Sequence, residues 1–213
     1  FLSLVVLLAG VAALFGDDFA SGQLWGASTK FWFWFAIGVP VAHQIVVPII
    51  WRGELYHQWM TKIFGDKGFL IYKIIFSILF IARPISVILV GISNKNTLHL
   101  NPFFAYILGF LLLIPAVYGM YSVIRYFGID RAYGIDHFEP EIYLNKPFVK
   151  QGLFKYTDNA MYKFVFLALW AIGLGFLSKA ALLVAAFNHL YIWVHFYFTE
   201  LPDIRHIYGQ SAE

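Results

Sequence analysis

The sequence predicts an all-α protein built as a polytopic membrane helix bundle of about six spans, the last two of which form a helical hairpin. Three observations support this fold class. Apolar residues make up 61% of the chain and charged residues only 13%, about half the charged fraction of a soluble domain. Several apolar runs reach about 17 residues or more, the length that crosses a hydrocarbon core about 30 Å thick. Aromatic residues make up 20% of the chain, and tryptophan and tyrosine favour membrane interfaces.

Apolar runs predict membrane helices at roughly 1–15, 31–51, 69–93, 102–127, 162–178 and 180–199. Only Leu177, Ser178 and Lys179 separate the last two helices, so we expect a tight antiparallel hairpin there. No repeat with a period of about 20–50 residues is visible. We therefore expect one integral membrane domain, with N-terminal spans in 1–101 and a core in 102–213. The first apolar run has no basic segment before it, so a cleaved signal peptide is not expected.

The distribution of lysine and arginine predicts the orientation of the bundle, because cytoplasmic loops carry an excess of these residues. Eleven of them fall on one side: Arg52, Lys62, Lys67, Lys73, Arg125, Arg131, Lys146, Lys150, Lys155, Lys163 and Arg205. Three fall on the other side: Lys30, Lys95 and Lys179. We therefore expect residues 52–68, residues 125–163 and the C-terminal tail to be cytoplasmic. Six spans then place the N- and C-termini in the cytoplasm as well.

The segment 128–150 is the only long polar connection that the sequence predicts, and it mixes acidic, basic and aromatic residues. Long loops in compact proteins are commonly lids or binding loops, which is one interpretation of this segment. The alternative is a solvated connector that lies on the membrane surface.

Polar residues within the predicted spans are candidates for function, because buried polar groups are costly in a bilayer. His43 and Arg83 are two of them, although a structural role is the simpler interpretation for both. Arg83, for example, can snorkel or pair with a carbonyl group that Pro84 leaves free. In the last span, Asn188, Tyr191, His195 and Thr199 share one helical face, and His189, Trp193 and Glu200 form a neighbouring stripe. These groups must line a cavity or pair with neighbours, since they cannot face lipid cheaply.

Missing motifs exclude several chemistries. The chain has no cysteine, which removes disulfides, thiolate nucleophiles and thiolate metal sites. It also lacks the closely spaced histidines of membrane di-iron enzymes, so we expect no metal site. There is no phosphate-binding P-loop and no Gly-x-Ser-x-Gly elbow, and nothing predicts a nucleic acid partner. Gly173 and Gly175 lie within the apolar hairpin, where they indicate close helix packing rather than a nucleotide fingerprint.

Two polar clusters bracket the hairpin: residues 152–162 read GLFKYTDNAMY and residues 199–209 read TELPDIRHIYG. They resemble the signature of the membrane methyltransferases that include isoprenylcysteine carboxyl methyltransferase and the phospholipid N-methyltransferases. That signature is G-x-Y-x-x-x-R-H-P-x-Y before an apolar hairpin and E-E-x-x-L-x-x-x-F-G after it. Here Asp158, Asn159 and Ala160 replace the Arg-His-Pro core, and Leu201 replaces the second glutamate. The resemblance covers about residues 125–209, and the altered core is more similar to bacterial proteins grouped with the phosphatidylethanolamine N-methyltransferases.

The resemblance implies S-adenosylmethionine as the methyl donor, bound in a cytoplasmic cofactor site. On that basis Glu200 and Asp203 are suited to the ribose hydroxyls or the ammonium group, and Asn159 to the carboxylate or the adenine edge. Aromatic rings offer faces to adenine and, by cation–π attraction, to the sulfonium. The predicted cofactor-binding residues are Gly152, Phe154, Tyr156, Asn159, Tyr162, Tyr191, Glu200 and Asp203.

The resemblance also implies an acceptor embedded in the membrane, which we expect to be the amine of phosphatidylethanolamine or of its methylated derivatives. A base must remove a proton before such an amine attacks, and the predicted catalytic residues are His195, Glu200 and His189. Arg125, Lys155 and Arg205 are predicted to bind the lipid phosphate. Three alternatives remain open: carboxyl methylation of a prenylcysteine, S-methylation of a small thiol, and a non-enzymatic membrane transporter or scaffold.

Overall fold

The structure is a computed structural model that describes residues 17–209 and is 80% helical. It opens with a 3₁₀ turn, Asp17–Ala20, and a small antiparallel hairpin of β1 (Gln23–Leu24) and β2 (Ala27–Ser28). The α-helices are α1 Thr29–His57, α2 Trp59–Phe64, α3 Gly68–Ser93, α4 Pro102–Ser122, α5 Ile129–Ala132, α6 Pro140–Tyr143, α7 Leu167–Gly175, α8 Lys179–His195 and α9 Leu201–Tyr208. Further 3₁₀ turns are Gly65–Lys67, Ile135–His137 and Gly152–Lys155, and π-helical turns are Val123–Phe127, Met161–Val165 and Phe196–Glu200. The predicted first span, 1–15, lies outside the described residues.

Four helical stretches of the described chain are long and apolar enough to cross a membrane: Thr29–His57, Trp59–Ser93, Pro102–Phe127 and Lys179–Tyr208. A shorter apolar stretch, Met161–Gly175, is the first arm of the hairpin. Outward faces are apolar too, since Phe103, Phe110 and Val117 on α4 are each at least 65% exposed. The chain is therefore an integral membrane protein, and the predicted all-α polytopic helix bundle is confirmed.

The region 52–68 differs from the loop that the sequence predicts. Helix α1 continues to His57, and α2 begins two residues later, after Gln58 has taken a left-handed backbone conformation with φ of 53°. The buried carboxylate of Glu54 accepts a hydrogen bond of 2.8 Å from the backbone N–H of Met60. This bond satisfies a free donor in the first turn of α2, so the Glu54 side chain joins two helices where the sequence predicts a cytoplasmic loop between spans.

The hairpin and its neighbours pack closely because small residues lie at their contacts. A Cβ atom on Gly173 would lie 2.8 Å from Cδ2 of Leu182, and one on Gly91 of α3 would collide with the ring of Phe176. Gly173 is thus a close-packing position, as the sequence predicts. Gly175 is not, since a Cβ atom there would meet nothing within 4 Å.

The turn of the hairpin is fixed by a side chain from the end of α3. Leu177 has a φ of 51°, and Ser178 caps α8 by accepting a hydrogen bond of 3.1 Å from the N–H of Ala181. Oδ1 of Asn94 accepts from the Ser178 hydroxyl at 2.9 Å and from the N–H of Ala180 at 3.0 Å. These bonds hold the two arms antiparallel and bring their far ends together.

The opposite end of the bundle, which we call the polar end, gathers both polar clusters and the connection 128–150. Here Arg52 at the end of α1 forms an ion pair with Asp203 of α9 at 3.2 Å. The ring of Trp51 stacks on His137 with centroids 4.2 Å apart, and Phe127 stacks on Phe154 at 5.1 Å. Contacts from both halves of the chain therefore build this end.

Candidate active site

A cavity of about 710 Å³, which we call the polar cavity, lies at the polar end between the connection 128–150 and the two clusters. Its wall contains four of the residues predicted from sequence: Phe154, Asn159, Tyr162 and Glu200. Trp51, Phe127, Arg131, Asp136, His137, Phe148 and Tyr208 also line it. The volume lies within the range of about 300–1,000 Å³ that is typical of small-molecule sites.

Two π-helical turns bring Tyr162 and Glu200 together. Met161–Val165 opens the first arm of the hairpin, and Phe196–Glu200 follows directly after His195. Each π turn inserts an extra residue and changes the direction of the side chains around it, and such turns are frequent at functional sites. The hydroxyl of Tyr162 donates a hydrogen bond to Oε2 of Glu200. The carboxylate is thereby held at the cavity wall.

A second cavity, of about 180 Å³, lies among the spanning helices and reaches the surface beside Ile124 and Ile129. Because most of the side chains around it are buried or half-buried, it is called here the buried cavity. Most of its wall is apolar, but His43, Arg83 and His195 also line it. Trp51 and Tyr162 line both the buried and the polar cavity. These two rings therefore form part of the partition between a space that opens at the polar end and a space inside the spanning helices.

A third space is an apolar groove of about 790 Å³ on the outer surface, lined by Trp32, Ile74, Ile78, Ile81, Ile85 and Leu89 among others. One end of this groove is polar and contains Lys73, Ser77, Asp130 and Tyr133. Ile129 and Tyr133 line both the groove and the buried cavity. The three spaces thus adjoin one another from the lipid-facing surface to the polar end.

A network of hydrogen bonds between ionisable side chains lies beside the polar cavity. Asp203, which is 1% exposed, accepts from Nε of Arg52 at 3.2 Å and pairs with Nε2 of His137 at 3.4 Å. Nδ1 of His137 pairs with Asp136 at 3.0 Å. Arg52 also donates from Nη2 to the backbone oxygen of Phe198 at 2.6 Å. The network ties α1, the connection 128–150 and α9 into one unit.

Arg131 extends this network into the cavity. Its Nε donates to the hydroxyl of Tyr208 at 3.0 Å, and that hydroxyl donates to Asp136 at 2.9 Å. The guanidinium lies over the rings of Phe127 and Tyr208, at 4.9 and 5.1 Å from their centroids. Its Nη2 is buried and has no hydrogen-bond partner among residues 17–209. A donor held in this way can bind an anionic group within the cavity.

The phospholipid methyltransferase family matches this chain over residues 104–211, which is just over half of its length. The chain belongs to the phospholipid methyltransferase family. This finding confirms the predicted membership of the membrane methyltransferase superfamily. No curated protein and no solved structure matches the chain significantly. The matched range includes both polar clusters, all three π turns and the whole hairpin, whereas His43, Trp51 and Arg83 lie before it.

Within this methyltransferase, the predicted cofactor residues fall into two groups. Phe154, Asn159, Tyr162 and Glu200 line the polar cavity, and Gly152, Tyr156, Tyr191 and Asp203 do not. Gly152 makes a turn with φ of 58°, where a Cβ atom would lie 2.7 Å from Oγ of Ser122, and Tyr156 is 76% exposed. Tyr191 is buried and stacks on Phe187 at 4.9 Å. The carboxylate of Asp203 is occupied by Arg52 and His137, which differs from its predicted place as a cofactor acceptor.

The predicted catalytic residues are also separated. Glu200 lines the polar cavity and His195 lines the buried cavity. His189 lines neither of them nor the groove; its Nδ1 accepts a hydrogen bond of 3.0 Å from Nε1 of Trp170. The predicted lipid-binding cations, Arg125, Lys155 and Arg205, are exposed and line none of the three spaces. Asn188, Tyr191, His195 and Thr199, predicted to share a face, are all buried.

Several residues that line the polar cavity are not predicted as site residues by the sequence. Arg131, Asp136 and His137 belong to the connection 128–150, whose interpretation as a binding loop pointed to the segment without distinguishing these residues. Its alternative interpretation, a solvated connector, fails at Asp136 and His137 because both are buried. Trp51 gave no signal beyond that of an aromatic residue near a membrane interface.

His137 makes the stability of the protein depend on pH. Burial lowers its pKa, but hydrogen bonds to Asp136 and Asp203 and the charges of these carboxylates raise it, so that the pKa moves from 6.5 to about 9. The protonated ring therefore stabilises the folded chain fully below about pH 6.5, and this contribution is lost as the pH rises through about 9. We expect the Tm of the detergent-purified protein to fall across that range, and to fall much less in His137→Gln. Parallel profiles for the two proteins would contradict this assignment.

Proposed function

We propose that this chain transfers a methyl group from S-adenosylmethionine to the amine of phosphatidylethanolamine or of its methylated derivatives. The observation that carries the proposal is the meeting of two cavities at Tyr162 and Trp51, within a chain of the phospholipid methyltransferase family. One cavity opens at the polar end, where a soluble cosubstrate arrives, and the other lies among the spanning helices. We propose that the polar end is cytoplasmic, which agrees with the excess of lysine and arginine there, and that both termini are cytoplasmic as well.

The residues of the polar cavity fit the chemical groups of S-adenosylmethionine. Glu200 offers carboxylate oxygens to the ribose hydroxyls or the ammonium group, and the unpaired Nη2 of Arg131 offers a donor to the carboxylate. Asn159 offers an amide to the adenine edge, while Phe154 and Tyr162 offer ring faces to the adenine and the sulfonium. When bound, this cofactor supplies an electrophilic methyl group on a sulfonium centre.

The protein's own residues would contribute orientation, exclusion of water and a place for one proton. A protonated headgroup amine must lose a proton before it can attack, and we propose His195 or Glu200 as its acceptor because each lines a cavity at the partition. His189 is a weaker candidate, since its Nδ1 is engaged by Trp170. Alignment of the reacting atoms and removal of water would supply most of the rate.

Binding of S-adenosylhomocysteine tests the cofactor assignment without knowledge of the acceptor. A ligand of the native state stabilises it by about 2.7 kcal/mol at one hundred times its Kd, so we expect a clear rise in the Tm of the detergent-purified protein. Glu200→Ala should abolish this rise. Glu141→Ala is the matched control, because Glu141 is exposed and lines none of the three spaces, and it should retain the full rise. An undiminished rise in Glu200→Ala would refute the role of Glu200.

A further inference from the structure

Unpaired polar atoms cluster around the buried cavity. Among residues 17–209, four buried side-chain nitrogen atoms that have no hydrogen-bond partner belong to residues that line this one cavity. They are Nδ1 of His43, Nε and Nη1 of Arg83, and Nδ1 of His195. Buried polar groups are satisfied in the great majority of cases, so this concentration points to a ligand.

Arg83 is the strongest evidence for a ligand in the buried cavity, because its guanidinium stays charged. It lies well inside α3 (Gly68–Ser93) and is only 5% exposed, so it does not snorkel to either membrane surface. The carbonyl groups near Pro84 do not satisfy Nε or Nη1, which have no partner. The ring of Phe166 lies 5.5 Å from the guanidinium carbon and gives partial compensation. Glu200 lies in the wall of the neighbouring polar cavity, but its carboxylate already accepts a hydrogen bond from Tyr162.

A charged guanidinium in this position has a consequence for substrates. The sulfonium of the methyl donor and the ammonium of the acceptor are both cations, and an unpaired Arg83 would repel each of them. An anion bound at Arg83 removes this repulsion. A phospholipid headgroup carries such an anion next to its amine.

We propose that the buried cavity binds the phosphate group of the acceptor lipid, with Arg83 as its charge partner and His43 and His195 as hydrogen-bonding partners. This inference rests on the proposed function, and it assigns the recognition of the acceptor lipid to the buried cavity. The planar guanidinium suits the oxygens of a phosphate, and the partners come from three spanning helices, α1, α3 and α8. His43 and Arg83 precede the family match at residues 104–211, so the N-terminal spans supply two of the three partners and His195 of the matched region supplies the third.

The apolar groove provides the route for such a lipid. Its aliphatic wall suits acyl chains, and it adjoins the buried cavity at Ile129 and Tyr133. The hydroxyl of Tyr133 is hydrogen-bonded to Ser77 at 2.8 Å. The headgroup enters the cavity at this junction while the chains remain in the groove.

The test measures ligand-induced shifts in Tm for the full chain in a neutral detergent. The probes are dihexanoyl phosphatidylethanolamine, dihexanoylglycerol, which lacks the phosphate, and inorganic phosphate. We expect the phospholipid to raise the Tm of the wild type and dihexanoylglycerol to have little effect. Arg83→Met should weaken the apparent affinity for the phospholipid by about 10- to 100-fold. Lys95→Met, which removes an exposed cation in the turn that follows α3, should bind as the wild type does.

Two further measurements on Arg83→Met distinguish a binding role of Arg83 from a structural one. Arg83→Met should keep the shift with S-adenosylhomocysteine, and its Tm without ligand should equal or exceed that of the wild type, because it removes an unpaired buried charge. Equal affinity of Arg83→Met and wild type for the phospholipid would overturn the proposal, as would a lowered Tm together with loss of the cofactor shift. If Arg83→Met does not fold, Arg83→Lys, which keeps the charge but loses the planar fork, should still bind more weakly, and undiminished binding would overturn the proposal.

The remaining outcomes identify the source of the phosphate and separate this inference from the proposed function. A shift with inorganic phosphate as large as that with the lipid would support the anion site but overturn its assignment to a headgroup. An Arg83-dependent lipid shift in a wild type that does not respond to S-adenosylhomocysteine would support the phosphate site and refute the proposed methyl donor. Shifts of the same size with dihexanoylglycerol and the phospholipid would overturn the phosphate site while leaving the cofactor test unaffected.

Discussion

Replacement of Glu200 by glutamine is expected to lower kcat/KM for methyl transfer by about 100-fold or more. The carboxylate lies at the wall of the polar cavity, where Tyr162 holds it by a hydrogen bond. Hydrogen bonds to charged groups contribute about 1.5–3 kcal/mol, and a general base contributes about 10²- to 10⁴-fold. Glutamine keeps the size of the side chain but loses the charge, so the effect reports on the carboxylate rather than on packing.

Two control variants make the Glu200 prediction specific. Tyr162→Phe removes only the hydroxyl that holds the carboxylate, so it should lower kcat/KM less than Glu200→Gln does. Glu141→Gln changes an exposed carboxylate outside the cavities and should retain full activity. A kcat/KM for Glu200→Gln within about threefold of the wild type, which is roughly the effect of a neutral surface change, would exclude Glu200 from the reaction.

Replacement of Asp203 by asparagine is expected to lower the free energy of unfolding by about 3 kcal/mol. Its carboxylate is almost fully buried and pairs with both Arg52 and His137. Removal of one member of a buried ion pair leaves the others without compensation, at a cost of about 3–5 kcal/mol. Arg52 is 42% exposed at its side chain, which places the expected value at the lower end of this range.

A surface ion pair supplies the matched control for Asp203. Asp130 pairs with Lys73 at 3.0 Å, but the Asp130 side chain is 54% exposed. Asp130→Asn should therefore change stability by about 1 kcal/mol or less. Denaturant or thermal unfolding in detergent measures both variants, and equal losses in the two would show that the buried network does not stabilise the polar end.

The C-terminal hairpin was predictable because its signals are local. Apolar runs marked both arms, and Leu177, Ser178 and Lys179 marked the turn between them. The face shared by Asn188, Tyr191 and His195 follows from helical periodicity alone. Glu200 was predicted from the family signature, but the π turns that direct it toward Tyr162 have no comparable signal in the sequence.

The polar network was not predictable, because its members come from distant parts of the chain. Asp203 contacts Arg52 across 151 positions and His137 across 66 positions. The sequence therefore predicts that the Asp203 carboxylate binds a cofactor, since no local pattern reveals these partners. The helix over 52–57 is not predicted for a related reason: Arg52 ends the apolar run, and no local pattern shows that Glu54 bonds to α2 from a buried position.

The most direct test of the account is methyl transfer itself. Purified protein is incubated with methyl-labelled S-adenosylmethionine and phosphatidylcholine vesicles that contain phosphatidylethanolamine, and the lipids are then separated. The proposed binding of the donor and of a phospholipid in the two adjoining cavities predicts label in monomethyl- and dimethyl-phosphatidylethanolamine with the wild type, and almost none with Glu200→Gln. Absence of label from these lipids with a folded wild type that binds S-adenosylhomocysteine would contradict the proposed acceptor.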